Sequence, residues 1–191
     1  VNSKKELHGQ VRAAYSDIAL APGENAYFAC GRALAEDVGY PAAVLDRLPA
    51  EAVEAFCGVG EVALWADIQP GHQVLDMGCG AGLDTLLAAG RAARVFAVDF
   101  SPEMLRRAGR SLEEMGLTEK VKLIRAEAQS LPFPDGSLDV ALVNGLFNLN
   151  PFREEAFREL ARVLRSGGRL YACELVLSEP VPAIADGNWF G

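Results

Sequence analysis

A chain of 191 residues, 50% hydrophobic and 23% charged, holds enough apolar material for one packed domain with an extension. Its formal net charge of -8 argues against a nucleic-acid partner, because phosphates demand a basic surface. No apolar run reaches the roughly 18–20 residues of a bilayer span, and Val1 to Leu7 lacks a signal peptide's apolar core, so no membrane partner and a cytoplasmic location are expected.

Residues 1–20 read as a polar-to-amphipathic helix carrying Tyr15, broken by Ala21-Pro-Gly-Glu-Asn25. Gly31 to Val38 and Ala42 to Leu48 read as short helices separated by Gly39-Tyr-Pro41, and Pro49 opens a further helical turn through Phe56. Cys57-Gly-Val-Gly60 is a loop, and another short helix precedes Ile68-Gln-Pro-Gly71. From Val74 onward strands alternate with helices: strands near 73–77, 94–98, 121–125, 138–143 and 168–175, helices near 82–90, 102–115 and 153–165. That alternation predicts an α/β fold with a doubly wound, mostly parallel sheet and right-handed crossovers. The expected division is an N-terminal helical extension over 1–68, a core over 69–178 and a tail over 179–191. Arg106, Arg107 and Arg110, with Glu103, Glu113 and Glu114 nearby, read as one solvated helix face. Cys30, Cys57, Cys79 and Cys173 are too scattered for a disulfide framework, and with His8 and His72 far apart no preformed metal site is expected.

The most informative stretch is Val74-Leu-Asp-Met-Gly-Cys-Gly-Ala-Gly-Leu-Asp84, a buried strand running into a glycine-rich turn that opens a helix. Gly78, Gly80 and Gly82 recur at every second position, unlike the dinucleotide fingerprint. Glycine lets a ligand lie against the backbone, and a helix start offers free N–H groups. Asp76 sits inside the strand, an expensive place for a carboxylate without a partner. Asp99 ends the second strand, where an acid can accept hydrogen bonds from ribose hydroxyls.

These residues resemble the class I S-adenosylmethionine-dependent methyltransferases. The resemblance runs through Asp76 to Gly82, Val98-Asp-Phe-Ser-Pro-Glu-Met104, Ala126-Glu127-Ala128, Leu131 to Val140 and Leu160 to Leu170, in the family's order, with Ser166 where proline is usual. It implies a Rossmann-like core and S-adenosylmethionine as cofactor. Asp76 would engage the cofactor's amino group, and Gly78 and Gly80 would let its methionine portion pass in a turn that also holds Cys79 and Gly82. Asp99 would hold the ribose. Phe100 and Met104 would flank the adenine, unless they are ordinary core residues. Glu127, or the backbone at Ala128, would meet the adenine edge, unless Glu127 is a surface carboxylate. Asn144 would contact cofactor and acceptor at the end of the fourth strand, or serve as a turn residue. Tyr15 would stack over the sulfonium or pack its helix. The family's sheet continues past the fifth strand, so this chain, ending soon after Trp189 and Phe190, is expected to be trimmed rather than completed by a partner.

A second resemblance, to arsenite methyltransferases, rests on Val11 to Tyr15, Asp37 to Pro41, Cys57 to Glu61, Gly82-Leu-Asp84 and Asn144 to Leu149. It implies thiolate ligands for trivalent arsenic at Cys57 and, by a looser match, Cys30, unless both are small buried residues, with Gly145 where that group carries a further cysteine. Three functions follow as expectations: methyl transfer to a small-molecule acceptor, with Asn144, Tyr15 and Cys57 at the reacting end; an arsenite methyltransferase variant; or a cofactor-binding subunit without activity. Oligomeric state is left open.

Overall fold

The computed structural model describes residues 3–24, 28–92 and 94–176. The N-terminal part is helical: α1 (Lys4–Leu20), α2 (Arg32–Asp37), α3 (Ala42–Leu45), α4 (Ala50–Glu54) and α5 (Val62–Trp65). Then follow β1 (Gln73–Met77), α6 (Leu83–Ala89), β2 (Arg94–Asp99), α7 (Pro102–Glu114), β3 (Val121–Arg125), β4 (Leu138–Asn144), α8 (Arg153–Val163) and β5 (Leu164–Cys173). The sheet order is β3-β2-β1-β4-β5 and every pairing is parallel. The winding runs outward from β1 through β2 and β3, then restarts on its other side with β4. The carboxyl ends of β1 and β4 therefore flank a crevice, the place where open α/β sheets bind ligands.

Period-two alternation decides which residue faces which layer. Val74, Val95, Ala97, Val140 and Leu142 bury one face beneath α5, α6 and α7. Leu75, Met77, Val98, Ala141 and Val143 bury the other beneath Ala156, Leu160 and Val163 of α8. No helix lies between β3 and β4. That crossover is held instead by Arg162, which donates to Leu131 O at 2.9 Å and Phe133 O at 2.7 Å, while Glu159 accepts from Leu131 N at 2.7 Å. Glu159 first, then Asp135, pushes the Arg162 guanidinium further up.

Two expectations are corrected. β5 starts at Leu164 rather than at 168: Leu138 pairs with Leu164, and after Arg165 to Gly168 bulge past Asp139 the ladder resumes at Val140 and Arg169. Arg165 Nε pins that bulge to Asp139 at 2.6 Å. The basic cluster on α7 is not one solvated face. Arg106 and Arg110 are exposed, but Arg107 is buried and donates to Ala19 O, Glu51 O and Glu54. Its guanidinium thereby ties α1 and α4 to the core. Trp189, Phe190 and the expected tail lie outside the described residues. Among the described residues no helix is long and apolar enough to cross a membrane, and no cluster of His, Cys, Asp or Glu could hold a metal ion.

Candidate cofactor and acceptor site

At the carboxyl end of β1 the chain turns sharply, with Gly78 N and Cys79 N donating to Val98 O at 2.8 and 3.0 Å. The three turn glycines do different work. A Cβ on Gly80 would meet nothing within 4 Å, so this backbone lies open to the cleft. A Cβ on Gly82, which caps α6 in the left-handed region, would come 3.1 Å from Ala108 Cβ, so its absence lets α7 approach. A Cβ on Gly78 would strike Leu146 Cδ1 at 2.6 Å. Gly78 thus makes room for a side chain from the loop after β4, and Gly80 alone of the three leaves open space.

Asp99 is buried at the tip of β2, where Oδ2 accepts from Gly80 N at 2.9 Å and Oδ1 from Ser101 N at 2.8 Å. Burial lifts its carboxyl to about 6 against the pull of those amides. Each oxygen keeps a lone pair for a further donor. Asp76, buried in β1, accepts from the Thr85 hydroxyl. Burial, and then the nearby Asp84 charge, push it up to about 8.

Asp84 joins four segments. It accepts from the Tyr40 hydroxyl, from Asn144 Nδ2 at 2.9 Å and from Ala63 N at 3.3 Å, and burial raises its carboxyl. Asn144 in turn accepts from Val59 N at 2.7 Å and donates to Gly60 O at 2.6 Å. Its amide is committed to the 57–60 loop, and a Cβ on Gly58 would lie 2.6 Å from its nitrogen. Neither Asp84 nor Tyr40 stood out in the sequence as a site residue. The available signal was an acid in the first turn of an otherwise apolar helix.

Helix α1 roofs the cleft with His8, Val11 and Tyr15. Arg12 donates to Glu127 at 2.9 Å, and His8 Nε2 lies 3.1 Å from the other Glu127 oxygen. The Arg12 guanidinium also sits 5.6 Å over the Phe100 ring, which Tyr15 meets edge-on at 6.1 Å. Glu127 therefore grips the roof while still lining the cleft. Burial, then Cys57 and Asp99, push the Tyr15 hydroxyl up. Met104 both lines the cleft and packs against Ile18, Ala55 and Ala81. Cys57 lines the cleft, and its Sγ is 2.7 Å from that of Cys30. Cys30 first, then burial, raises the Cys57 thiol. Cys79 is buried within the turn, its thiol raised by burial and by Asp99.

The cleft is open to solvent and lined from both sides of the β1–β4 crevice. Asp76, Asp84, Asp99 and Glu127 line it, and among the described lining residues there is no lysine or arginine. A family model described as a methyltransferase domain matches residues 75–172, which spans β1 to β5. The chain belongs to the class I S-adenosylmethionine-dependent methyltransferases. It is 35% identical over 150 residues to an arsenite methyltransferase of Halobacterium salinarum, covering 77% of this chain and 38% of that protein. It is 33% identical over 161 residues to a demethylmenaquinone methyltransferase of Corynebacterium kroppenstedtii, covering 73% and 65%. The chain thus spans less than two thirds of either relative. Among solved structures, the YcgJ protein of Bacillus subtilis matches with TM-score 0.55 and 34% identity over 58% of this chain and 47% of that one. The [4+2]-cyclase SpnF matches with TM-score 0.55 and 31% identity, covering 58% and 41%.

The residues present fit the methyltransferase cofactor, S-adenosylmethionine. The open backbone at Gly80 leaves a cradle that any side chain there would enter, and Asp99 keeps acceptor capacity beside it. Buried carboxylates without lysine or arginine suit a ligand bearing a sulfonium and an ammonium. Of the residues singled out in the sequence, Tyr15, Cys57, Asp76, Gly78, Cys79, Gly80, Gly82, Asp99, Phe100, Met104, Glu127, Ala128 and Asn144 all line this one cleft. Cys30 stands behind Cys57, packed in the same cluster as Tyr15.

Proposed function

We propose that this chain carries the methyl-transfer unit of an enzyme acting on a small-molecule acceptor. The supporting observation is the convergence of Asp76, the open Gly80 backbone and Asp99 beneath the α1 roof. Bound S-adenosylmethionine supplies an activated methyl carbon, and the chain's own residues orient it and exclude water. In this reading Asp99 takes the ribose hydroxyls, Asp76 the amino group, and Phe100 and Met104 one side of the adenine. Glu127 serves the adenine edge while keeping α1 in place through Arg12. Asn144 acts as a positioning residue, since its amide is spent on the 57–60 loop. That loop, Tyr15 and the loop after β4 enclose the acceptor's end of the cleft.

The test is calorimetric titration with S-adenosylmethionine, then mass-spectrometric screening of acceptors with labelled cofactor on the full-length protein. Binding with turnover of a small acceptor is the expected result. Binding without turnover of any acceptor would favour a role other than methyl transfer, and folds do host unrelated chemistries.

One observation favours a narrower reading. The Cys57 thiol at the cleft wall and the Cys30 thiol behind it, 2.7 Å apart, form a soft pair suited to trivalent arsenic. Gly145 stands where a third thiol would approach, its Cβ position 3.9 Å from Cys57 O. An arsenite variant predicts methylated arsenic from arsenite plus thiol, abolished in Cys57→Ser. No product from the wild-type full-length protein removes this reading and leaves the broader one standing.

A further inference from the structure

The loop after β4, residues 145–150, walls the cleft through Gly145, Leu146, Leu149 and Asn150. What fixes its start comes from the end of β5. Glu174 Oε1 accepts from Leu146 N at 2.7 Å and from Phe147 N at 2.6 Å, and Oε2 accepts from Asn148 N at 3.4 Å. Gly145 N continues the ladder to Cys173 O at 2.9 Å, and its φ of 71° turns the next three amides toward one point. Successive amides so arranged make a concave anion seat. Among the described residues no lysine, arginine or histidine pairs with Glu174, so the loop's amides are what this half-buried carboxylate holds. Charge-assisted bonds of this length are about twice as strong as neutral ones.

The second observation is where the loop delivers its first side chain. Leu146 Cδ1 lies 2.6 Å from the position a Cβ would take on Gly78, so Leu146 rests directly on the glycine turn. The neighbouring Gly80 faces open cleft. The height at which Leu146 sits therefore sets the width of the channel above the turn.

We propose that Glu174 is a positioning residue of the cofactor site, acting through Leu146. Its carboxylate clamps the amides of residues 146–148 and so fixes the wall against which the cofactor's amino-acid portion lies. The inference rests on reading the cleft as the S-adenosylmethionine site, and its test separates the two.

Calorimetric titration with S-adenosylmethionine should show about tenfold weaker binding for Glu174→Ala and also for Glu174→Asp, which keeps the charge but is one methylene too short to reach. Glu174→Gln, which keeps the reach and an acceptor oxygen, should stay within about threefold of wild type. In a double-mutant cycle, Glu174→Ala should have little further effect once Leu146→Ala is present, because the two act in series. A mere stability role would leave the affinities of the folded variants unchanged. Unchanged affinity in Glu174→Asp, or additive effects in the cycle, overturns the proposal, and Glu174→Asp carries the test if Glu174→Ala fails to fold. Amide exchange at 146–148 in cofactor-free protein reads the clamp itself. If wild type binds no cofactor the site reading fails on its own terms, and unchanged exchange in Glu174→Ala or Glu174→Asp then overturns the clamp as well.

Discussion

Asp76 shows how a single position serves binding at the expense of the fold. A carboxyl held near 8 in the folded chain lies far above its ordinary value near 4. Between those pH values the folded state carries a proton the unfolded state lacks, so stability from this group is full below about pH 4 and is lost as pH rises through 8. A cationic ligand prefers the ionised form, so S-adenosylmethionine affinity should rise as pH climbs toward about 8, above which the ligand's own amino group begins to lose its charge. Calorimetry from pH 6 to 9 reads this directly, and a flat profile would take Asp76 away from the cation. Asp76→Asn should shift thermal stability the other way, melting higher than wild type at pH 8.5 while binding cofactor poorly. Asp99 offers a matching case with a different readout. Asp99→Ala leaves the Gly80 and Ser101 amides without their acceptor and should weaken cofactor binding tenfold or more, because ribose hydroxyls lose a charged partner. Wild-type affinity would remove Asp99 from the site.

At the scale of elements, what the chain announced in advance depended on how local the cause was. The strands and the helices after them follow from short-range alternation, and the glycine turn is visible because its conformational demand is local. The start of β5 was hidden because Arg165-Ser166-Gly167-Gly168 reads as a turn, and only Asp139 on the neighbouring strand shows that it is a bulge inside a ladder. Arg107 looked like its neighbours Arg106 and Arg110 until Ala19 and Glu54 were brought to it from distant segments. Tyr40, Asp84 and Glu174 were missed as site residues for the same reason: their meaning lies in partners tens of residues away. The crossover from β3 to β4 is the element most dependent on one such contact. Arg162→Ala should lower the melting point and speed amide exchange around Leu131 and Phe133, whose carbonyls lose their donor. An unchanged melting point would show that the apolar packing of Leu131 and Phe133 suffices.

For the whole molecule, polar contacts join the described N-terminal helices to the sheet and its helices. Arg107 reaches α1 and α4 from α7, Tyr40 bonds Asp84 at the start of α6, and Arg12 bonds Glu127 beyond β3. Three polar ties from different elements, each joined by apolar packing, hold roof and sheet together. Scanning calorimetry should accordingly give a single transition with equal calorimetric and van't Hoff enthalpies. Two resolved transitions would mean that the roof melts by itself.

The carboxylate lining also bears on what happens after each reaction cycle. A sulfonium that has given up its methyl group is a neutral thioether, so the spent molecule carries one positive charge fewer than the fresh one. With the carboxyls of Asp76, Asp84, Asp99 and Glu127 around it and no lysine or arginine among the described lining residues, the walls where they are ionised would favour the fresh molecule over the spent one.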